Sequence, residues 1–413
     1  MGESQGRIAH YPMQKFRFLS SWQWILAIFT LASLVETIFY SQMLAFTPLY
    51  LPELGISDEA QILLLVGWIT AAANGIGIPF LPFWGALADR YSRKPIIVRS
   101  FVVILIAASL AYLARSVWVF FIARSLTGFA LGNSGLMMTT LSERLPENRQ
   151  GLGFSIMNSA APVGAFLGPL VGGWIVDTHG FRTLLLINLV VVSLVIALLT
   201  RSYRDTYRAQ EDGRILPMAL DSLRIIGRSR RLLALFPALF LLFGGWMLAF
   251  TYIPLVVGDL YTGNEPGTVI GLVIGASGLT TMILGPILGA LADRIGAWRV
   301  LFIGGVTALV LWPMPLLTST LIPFAIVWSI LNGVVSAVFA LSFTVMSASA
   351  APSVRGRVMS FAYMPVNIGF MIGAAVGTRI TQTSLFNIFP AAALFTALGL
   401  MALVIAYRQQ VVE

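Results

Sequence analysis

No cysteine occurs in the 413 residues, and there are only two histidines, His10 and His179. Disulfides, thiolate metal sites and cysteine nucleophiles are therefore excluded together. The phosphate-cradling pattern Gly-x-x-x-x-Gly-Lys-Ser/Thr is also missing, which argues against direct ATP hydrolysis. Charge is scarce: 10% of the residues are Asp, Glu, Lys or Arg, against roughly 25% in soluble domains. No metal-ligand cluster is legible, and Glu36 and Arg124 form the one acid and base combination inside the apolar runs. No metal and no cofactor are expected, and an enzyme or receptor is the weakest of the function classes.

What fills the chain is apolar surface, with 58% hydrophobic residues and a mean hydropathy of +0.87. Lipid is the solvent such a composition requires. After a polar tail with Lys15 and Arg17 comes "WQWILAIFTLASLVETIFYSQMLAFTPLY", too long for the core of a cleavable signal and without a small-residue cleavage site. It reads as a first membrane helix. A bilayer core needs about 20 apolar residues per helix, and such runs recur near 62–84, 96–114, 118–141, 152–176 and 183–200, then near 232–258, 268–288, 300–318, 321–347, 357–378 and 386–406. Between the sixth and seventh runs, Arg201 to Arg231 holds eight arginines and no membrane-length stretch. The expected organisation is a tail (1–21), a six-helix bundle (22–200), a central linker (201–231), a second six-helix bundle (232–406) and a tail (407–413).

The net charge of +9 and pI near 10.2 would suggest a nucleic-acid partner in a soluble chain. Here the basic residues sort by membrane side. Of the 26, Arg115, Arg182 and Arg379 fall on one side and Arg124 within a helix, which leaves 22 on the side of both termini and the linker. The positive-inside rule then makes both termini cytoplasmic in a cell (inner) membrane. Those basic loops meet anionic headgroups, and no nucleic acid is needed.

Two halves with one register are written into the chain. The hexapeptide "GALADR" occurs at Gly85 to Arg90 and again at Gly289 to Arg294, 204 positions apart; "AFTPLYLPELG" from Ala45 resembles "AFTYIPLVVGDL" from Ala249 at the same offset. Gly164, Gly168 and Gly172 recur as Gly369, Gly373 and Gly377 at an offset of 205. A repeated six-helix unit accounts for all three.

The loop "GALADRYSRKP" resembles the signature loop between helices 2 and 3 of the major facilitator superfamily, with its weaker second copy where that family repeats it. The resemblance covers the whole chain. It implies an all-α membrane protein of twelve transmembrane helices in two pseudo-symmetric six-helix bundles around a central cavity, working by alternating access. In the loop, Gly85 lets a helix end and backbones approach, Asp89 can accept from free N–H groups at a helix end, and Arg90, Arg93 and Lys94 hold the turn on the inner face. Glu143, in "LSERLPENRQG", matches the acid that the family pairs with the arginine at Arg93. The second half has Ala297 and Ser349 at the corresponding places, so arginine and acid are lost together. The family's mechanism implies that Asp89, Arg93 and Glu143 form a latch favouring the outward-open state, whereas Asp293 mainly shapes its loop. The family usually has glycine where Ser92 stands; the second copy keeps Gly296.

Direction comes from "GAFLGPLVGG", which matches the family's antiporter motif through Gly164, Gly168, Pro169, Gly172 and Gly173. Small residues four apart let helices touch along their backbones, and Pro169 removes one helix hydrogen bond. The motif is found mainly in exporters that exchange substrate for protons.

Glu36 is the one carboxylate of 17 that falls in mid-membrane, and an intramembrane acid is a functional hypothesis by default. It can load a proton from one side and release it to the other, with Arg124 on helix 4, matching a conserved family arginine, as its electrostatic neighbour. The alternative is a structural ion pair between the two. Register alignment puts Phe240 and Ser329 in their places in the second half, so proton work is assigned to the first half. Candidate cavity residues follow helical spacing: Tyr40 four residues after Glu36, Phe243, Trp246 and Phe250 on helix 7, and Tyr363, Asn367 and Phe370 on helix 11. Such aromatic faces suit an amphipathic or cationic cargo, and equally can pack between helices or face lipid.

The function expected is secondary active export of amphipathic or cationic small molecules, of multidrug type, in exchange for protons. The alternatives are a proton-coupled lysolipid or glycolipid transporter and an exporter of one metabolite. Partners are the small-molecule or lipid substrate, protons and membrane lipids, and the protein is expected to act as a monomer.

Overall fold

The computed structural model of the chain describes residues 22–81, 83–84, 87, 92–130, 133–205, 230–349 and 363–411. Among these there are α-helices and short 3-10 turns and no strand. The first half contains α1 (Trp22–Tyr50), α2 (Glu59–Gly75), α3 (Arg93–Leu113), α4 (Val117–Leu126), α5 (Asn133–Arg144), α6 (Gln150–His179) and α7 (Phe181–Ser202). The second contains α8 (Arg230–Leu260), α9 (Pro266–Ile295), α10 (Ala297–Leu311), α11 (Leu321–Ala348), α12 (Tyr363–Ile380) and α13 (Ile388–Val411). Among the described residues, ten helical segments are long and apolar enough to cross a membrane. The other two spans are the pair α4 and α5, which share one crossing, and α12, whose expected first residues 357–362 lie outside the described residues.

Helix ends follow local chemistry. Asp58 accepts a hydrogen bond from the Gln61 N–H at 2.9 Å and so caps α2. Gly180 and Gly296 take positive φ, +82° and +97°, to turn the chain within one residue from α6 to α7 and from α9 to α10. The retention of glycine in the second hexapeptide loop has its reason there. Ser92, at the corresponding place in the first half, has φ −170°, an extended conformation open to any residue.

Within each half the helices pack in matched fashion: α1 lies against α6 and α7, and α8 lies against α12 and α13. Two seams join the halves, α6 with α9 and α2 with α12. The first is a backbone contact. A Cβ on Gly173 would meet the Gly267 carbonyl carbon at 2.7 Å, one on Gly275 the Phe166 carbonyl oxygen at 3.0 Å, and one on Gly278 the Phe166 nitrogen at 2.7 Å. Further along, Gly285 and Gly289 of α9 have nothing within 4 Å, and neither has Gly151 near the start of α6. The seam is therefore tight at the end of the bundle remote from the chain termini and open at the end that carries them. Small residues make the tight part possible, since only hydrogen atoms separate the two backbones.

Gly173→Leu should consequently lower the apparent melting temperature of the detergent-purified protein by several degrees, through overpacking of about 1–3 kcal/mol. Gly285→Ala should leave it unchanged; equal shifts for the two would contradict the seam as described.

Candidate functional site

The expected fourth span, 118–141, is not one helix. Regular α4 stops at Leu126, a 3-10 turn covers Thr127–Ala130, and α5 starts at Asn133. The turn contains Gly128, where a Cβ would meet the Ala73 carbonyl oxygen and an Ile76 methyl at 2.8 Å, so α2 approaches it closely. Irregular backbone at membrane depth needs its polar groups satisfied internally. The Arg124 carbonyl accepts from the Thr127 hydroxyl at 2.6 Å, and the Thr127 carbonyl accepts from the Tyr40 hydroxyl at 3.1 Å.

Around this break the charged residues gather. Glu36, on α1, is 9% exposed and accepts from Asn133 Nδ2 at 2.8 Å. Arg124 is 5% exposed. The two form no ion pair; the sole salt bridge among the described residues joins Arg93 to Glu143. Glu36, Arg124 and Arg99 all lie within electrostatic reach of Tyr40. Arg99, counted with the basic residues of the inner side and inside the expected run 96–114, lies in α3, half-buried, with its guanidinium carbon 3.5 Å from the centroid of the Trp84 ring. Asn133 is a partner that the sequence reading misses. Its signal is the "LGNSG" break in an otherwise apolar run, which a hydropathy-based span passes through.

At the end that carries the termini, Arg93 Nη1 and Nη2 donate to the two Glu143 oxygens at 2.7 and 2.8 Å. Such a bidentate pair fixes orientation as well as charge. Asp205 accepts from Ser92 Oγ at 2.6 Å and from the Arg93 and Lys94 N–H groups at 2.7 and 3.2 Å, and so caps α3. Lys94 Nζ in turn donates to the Thr200 and Tyr203 carbonyls at the end of α7, at 2.7 and 2.6 Å. The residues just after α7, expected to begin the linker, are thereby tied to the first half. Burial pushes the Tyr203 phenol up to about 12, so it remains neutral beside these charges. Gly85, Asp89 and Arg90 lie outside the described residues. Asp293 is exposed at the end of α9 and makes no ion pair among the described residues.

The glycine motif of α6 serves two neighbours. Gly164, Gly168 and Gly172 face α1, where a Cβ on Gly164 would meet Thr37 Cβ at 2.8 Å and one on Gly168 the Ile38 Cα at 3.1 Å. Gly173 and the Pro169 carbonyl face α9, against Gly267 and Gly271. One turn beyond, Asp177 accepts from the Gly267 and Thr268 N–H groups at 2.8 and 2.6 Å. A carboxylate of the first half thus caps the N-terminus of a helix of the second. By sequence position alone, Asp177 is one more acid at a helix end.

In the second half the candidate cavity residues belong to an aromatic, uncharged cluster. Trp246 Nε1 donates to Asn332 Oδ1 at 3.0 Å, and Trp246 touches Phe250, Phe339 and Phe370 with ring centroids 5.8, 5.9 and 5.8 Å away. Tyr363 is 47% exposed and packs on Phe343 at 4.5 Å. Two candidates are buried in side-chain packing: Phe243 is fully buried against Phe339, and Asn367 is buried with its Nδ2 donating to the Tyr363 carbonyl at 2.8 Å. Asn332 and Phe339, both on α11, escape the sequence reading because that span carries no charge and its aromatic residues follow no single face. No group of three His, Asp or Glu side chains among the described residues could hold a metal ion.

The family model of the Major Facilitator Superfamily matches residues 28–264 and again 260–411. The chain belongs to the major facilitator superfamily. It is similar to the "Multidrug resistance protein MdtG" of Enterobacter lignolyticus, 26% identical over 345 residues covering 83% of this chain and 82% of that protein. The protein of the same name from Proteus mirabilis is 26% identical over 365 residues, 87% of this chain and 90% of the relative. Among solved structures, a variant of the nucleoside transporter NupG superposes with a TM-score of 0.74 at 14% identity, over 93% of this chain and 100% of that one. A D-xylose-proton symporter does so with a TM-score of 0.74 at 16% identity, over 95% and 97%. These likenesses carry the fold. As a major facilitator superfamily protein the chain is a multi-pass membrane transporter of small molecules and not an enzyme.

The Asp177 cap is the polar part of the seam between α6 and α9, and its removal is expected to let that seam open more often. The absence of native cysteine makes it measurable with spin labels on Thr178→Cys and Asn264→Cys. Replacing Asp177 by Ala removes two charge-assisted hydrogen bonds, worth about 1.5 kcal/mol or more. The long-distance population should then rise about tenfold; an unchanged distance distribution would show that the glycine contact closes this end without the carboxylate.

Proposed function

We propose that this transporter exports amphipathic small molecules from the cell in exchange for protons, with Glu36 as the proton-carrying group. The observation that carries the proposal is the environment of Glu36: a nearly buried carboxylate held by the Asn133 amide, with no ion pair to Arg124. A permanent ion pair would hold its proton affinity fixed. An acid at a helix break can change partners when the break moves, and a change of partners changes its affinity for a proton.

Alternating access supplies the rest of the cycle. With both termini cytoplasmic, as the basic-residue bias argues, the conformation described is inward-facing: the α6 and α9 seam is closed at the outer end and apart at the inner end. Breaking the Asp177 cap and closing the inner end against the Arg93 and Glu143 region would give the outward-facing form, in which Asp89 and Arg90 of the signature loop would act as part of the latch. The names of the MdtG relatives and the complete glycine motif on α6 support a drug-like cargo and the export direction. Cavity and seams lie within one chain, so a monomer suffices.

A lysolipid cargo is the second reading, favoured by a pocket of about 270 Å³ lined by Trp84, Arg99, Val103, Ile106, Leu126 and Phe129, whose Ile106 wall is 50% exposed on α3.

The test uses everted vesicles acidified by respiration and a panel of amphipathic dyes of either charge. Wild type should release protons on addition of a transported dye; Glu36→Gln should abolish that release while Arg93 and Glu143, away from the membrane interior, remain intact. Undiminished dye-driven proton release from Glu36→Gln vesicles would remove Glu36 from the coupling.

A further inference from the structure

The membrane face opposite the chain termini is acidic. Glu53, Asp58, Glu59, Asp177, Asp259 and Glu265 stand there with Arg115, Arg182 and Arg379, six acids to three arginines. Against that balance, two of the three arginines share one pocket. Arg115, between α3 and α4, and Arg182, in the first turn of α7, line a pocket of about 230 Å³ together with Tyr112, Leu113, Thr183 and Leu186, and no acid lines it.

The pocket has a fixed wall and a defined depth. Arg182 donates from Nη2 to the Ala114 carbonyl at 3.2 Å, which ties the start of α7 to the end of α3 beside Arg115. Arg182 is also within electrostatic reach of Tyr50, Glu53 and Tyr112, and neither arginine forms a salt bridge among the described residues. Both are exposed, and a guanidinium is a planar fork of donors matched to a phosphate. Because α3 ends at Leu113 and α7 begins at Phe181, and both segments are long and apolar enough to cross a membrane, the pocket sits at the level where headgroups lie. Towards the membrane interior the surface turns aliphatic. Leu113 and Leu186 line the pocket and are exposed, and exposed Val190 and Leu194 follow Leu186 at four-residue steps, which sets them in a row along α7.

We infer that this pocket binds an anionic phospholipid of the leaflet opposite the chain termini, with its phosphodiester at Arg115 and Arg182 and an acyl chain along Leu186, Val190 and Leu194. A lining with two cations and no acid disfavours a zwitterionic head, whose ammonium would meet like charge. The aliphatic row selects a lipid over free phosphate, which would leave that row unused. The bound lipid joins the ends of α3 and α7 from outside, as the Arg182 contact with Ala114 does from within. The site depends neither on the cargo nor on proton exchange.

The experiment uses the full-length protein in phosphatidylcholine nanodiscs doped with a nitroxide-bearing acyl chain, carried either by phosphatidylglycerol or by phosphatidylcholine. With no native cysteine, a bimane fluorophore on Ile187→Cys reports nitroxide beside the pocket by quenching, and one on Val310→Cys, near the same membrane face at the end of α10, is the reference. Half-quenching at the Ile187 position should need roughly tenfold less phosphatidylglycerol than phosphatidylcholine. The Val310 position should show no headgroup preference. Arg115→Gln combined with Arg182→Gln should erase the preference at Ile187, whereas Arg115→Lys combined with Arg182→Lys, which keeps both charges, should retain most of it. Inorganic phosphate added at constant ionic strength should change neither. Equal quenching by the two lipids at Ile187, or a preference that survives the double Gln variant, would overturn the inference. So would its loss from the double Lys variant, which would place the effect in the fold, or its loss on adding phosphate, which would assign the pocket to the free ion.

Discussion

An ionised side chain removed from water must be paired, hydrated or neutralised, and in this protein Glu36 and Arg124 are both buried without an ion pair to each other. The broken fourth span exists in that setting. Its 3-10 turn lets Asn133 reach Glu36, lets the Thr127 carbonyl meet Tyr40, and brings Gly128 against α2. A continuous helix would satisfy its backbone internally and would leave the Tyr40 hydroxyl without that acceptor. The break thus connects the charge cluster to the packing of α1 and α2, which are also in contact with the seams between the halves.

Those seams work by a different physics. Between α6 and α9 the backbones touch through glycine, so closure gains dispersion contacts without side chains to reorder. Contacts of that kind form or fail together, because a slight displacement loses many of them at once. The Asp177 cap adds a charged contact at the end of the seam that is closed. At the opposite end, the Arg93 and Glu143 pair and the Asp205 cap tie elements of the first half to one another.

Much of this is legible in the sequence, and the parts that are not have physical causes. Span lengths, the two-fold register and the glycine motif can be read because lipid imposes a length on helices and close packing imposes small residues. The partnership of Arg93 with Glu143 is what the family resemblance implies, and the joint loss of arginine and acid in the second half agrees with it. The break in the fourth span is hidden, since hydropathy does not distinguish a 3-10 turn from a helix when the residues are apolar. Arg99 stands near the start of its span and counts with the inner-side charges, and only the position of Trp84 reveals its stacking. Asp177 looks like a solvated acid until the α9 N-terminus is placed beside it, a contact 90 residues distant in the chain. Phe243 follows the aromatic spacing of Trp246 and Phe250 but faces Phe339, since a wide apolar face covers both cavity and core.

The central claim is that Glu36 changes its protonation state in step with cargo. Infrared difference spectroscopy of the purified, membrane-reconstituted protein measures that directly, through the carbonyl stretch of a protonated carboxyl group. Addition of cargo to protein prepared with Glu36 protonated should give a negative band in that region and a matching carboxylate signal, both lost in Glu36→Gln. A difference spectrum with no carboxyl band, or one that persists unchanged in Glu36→Gln, would contradict the account.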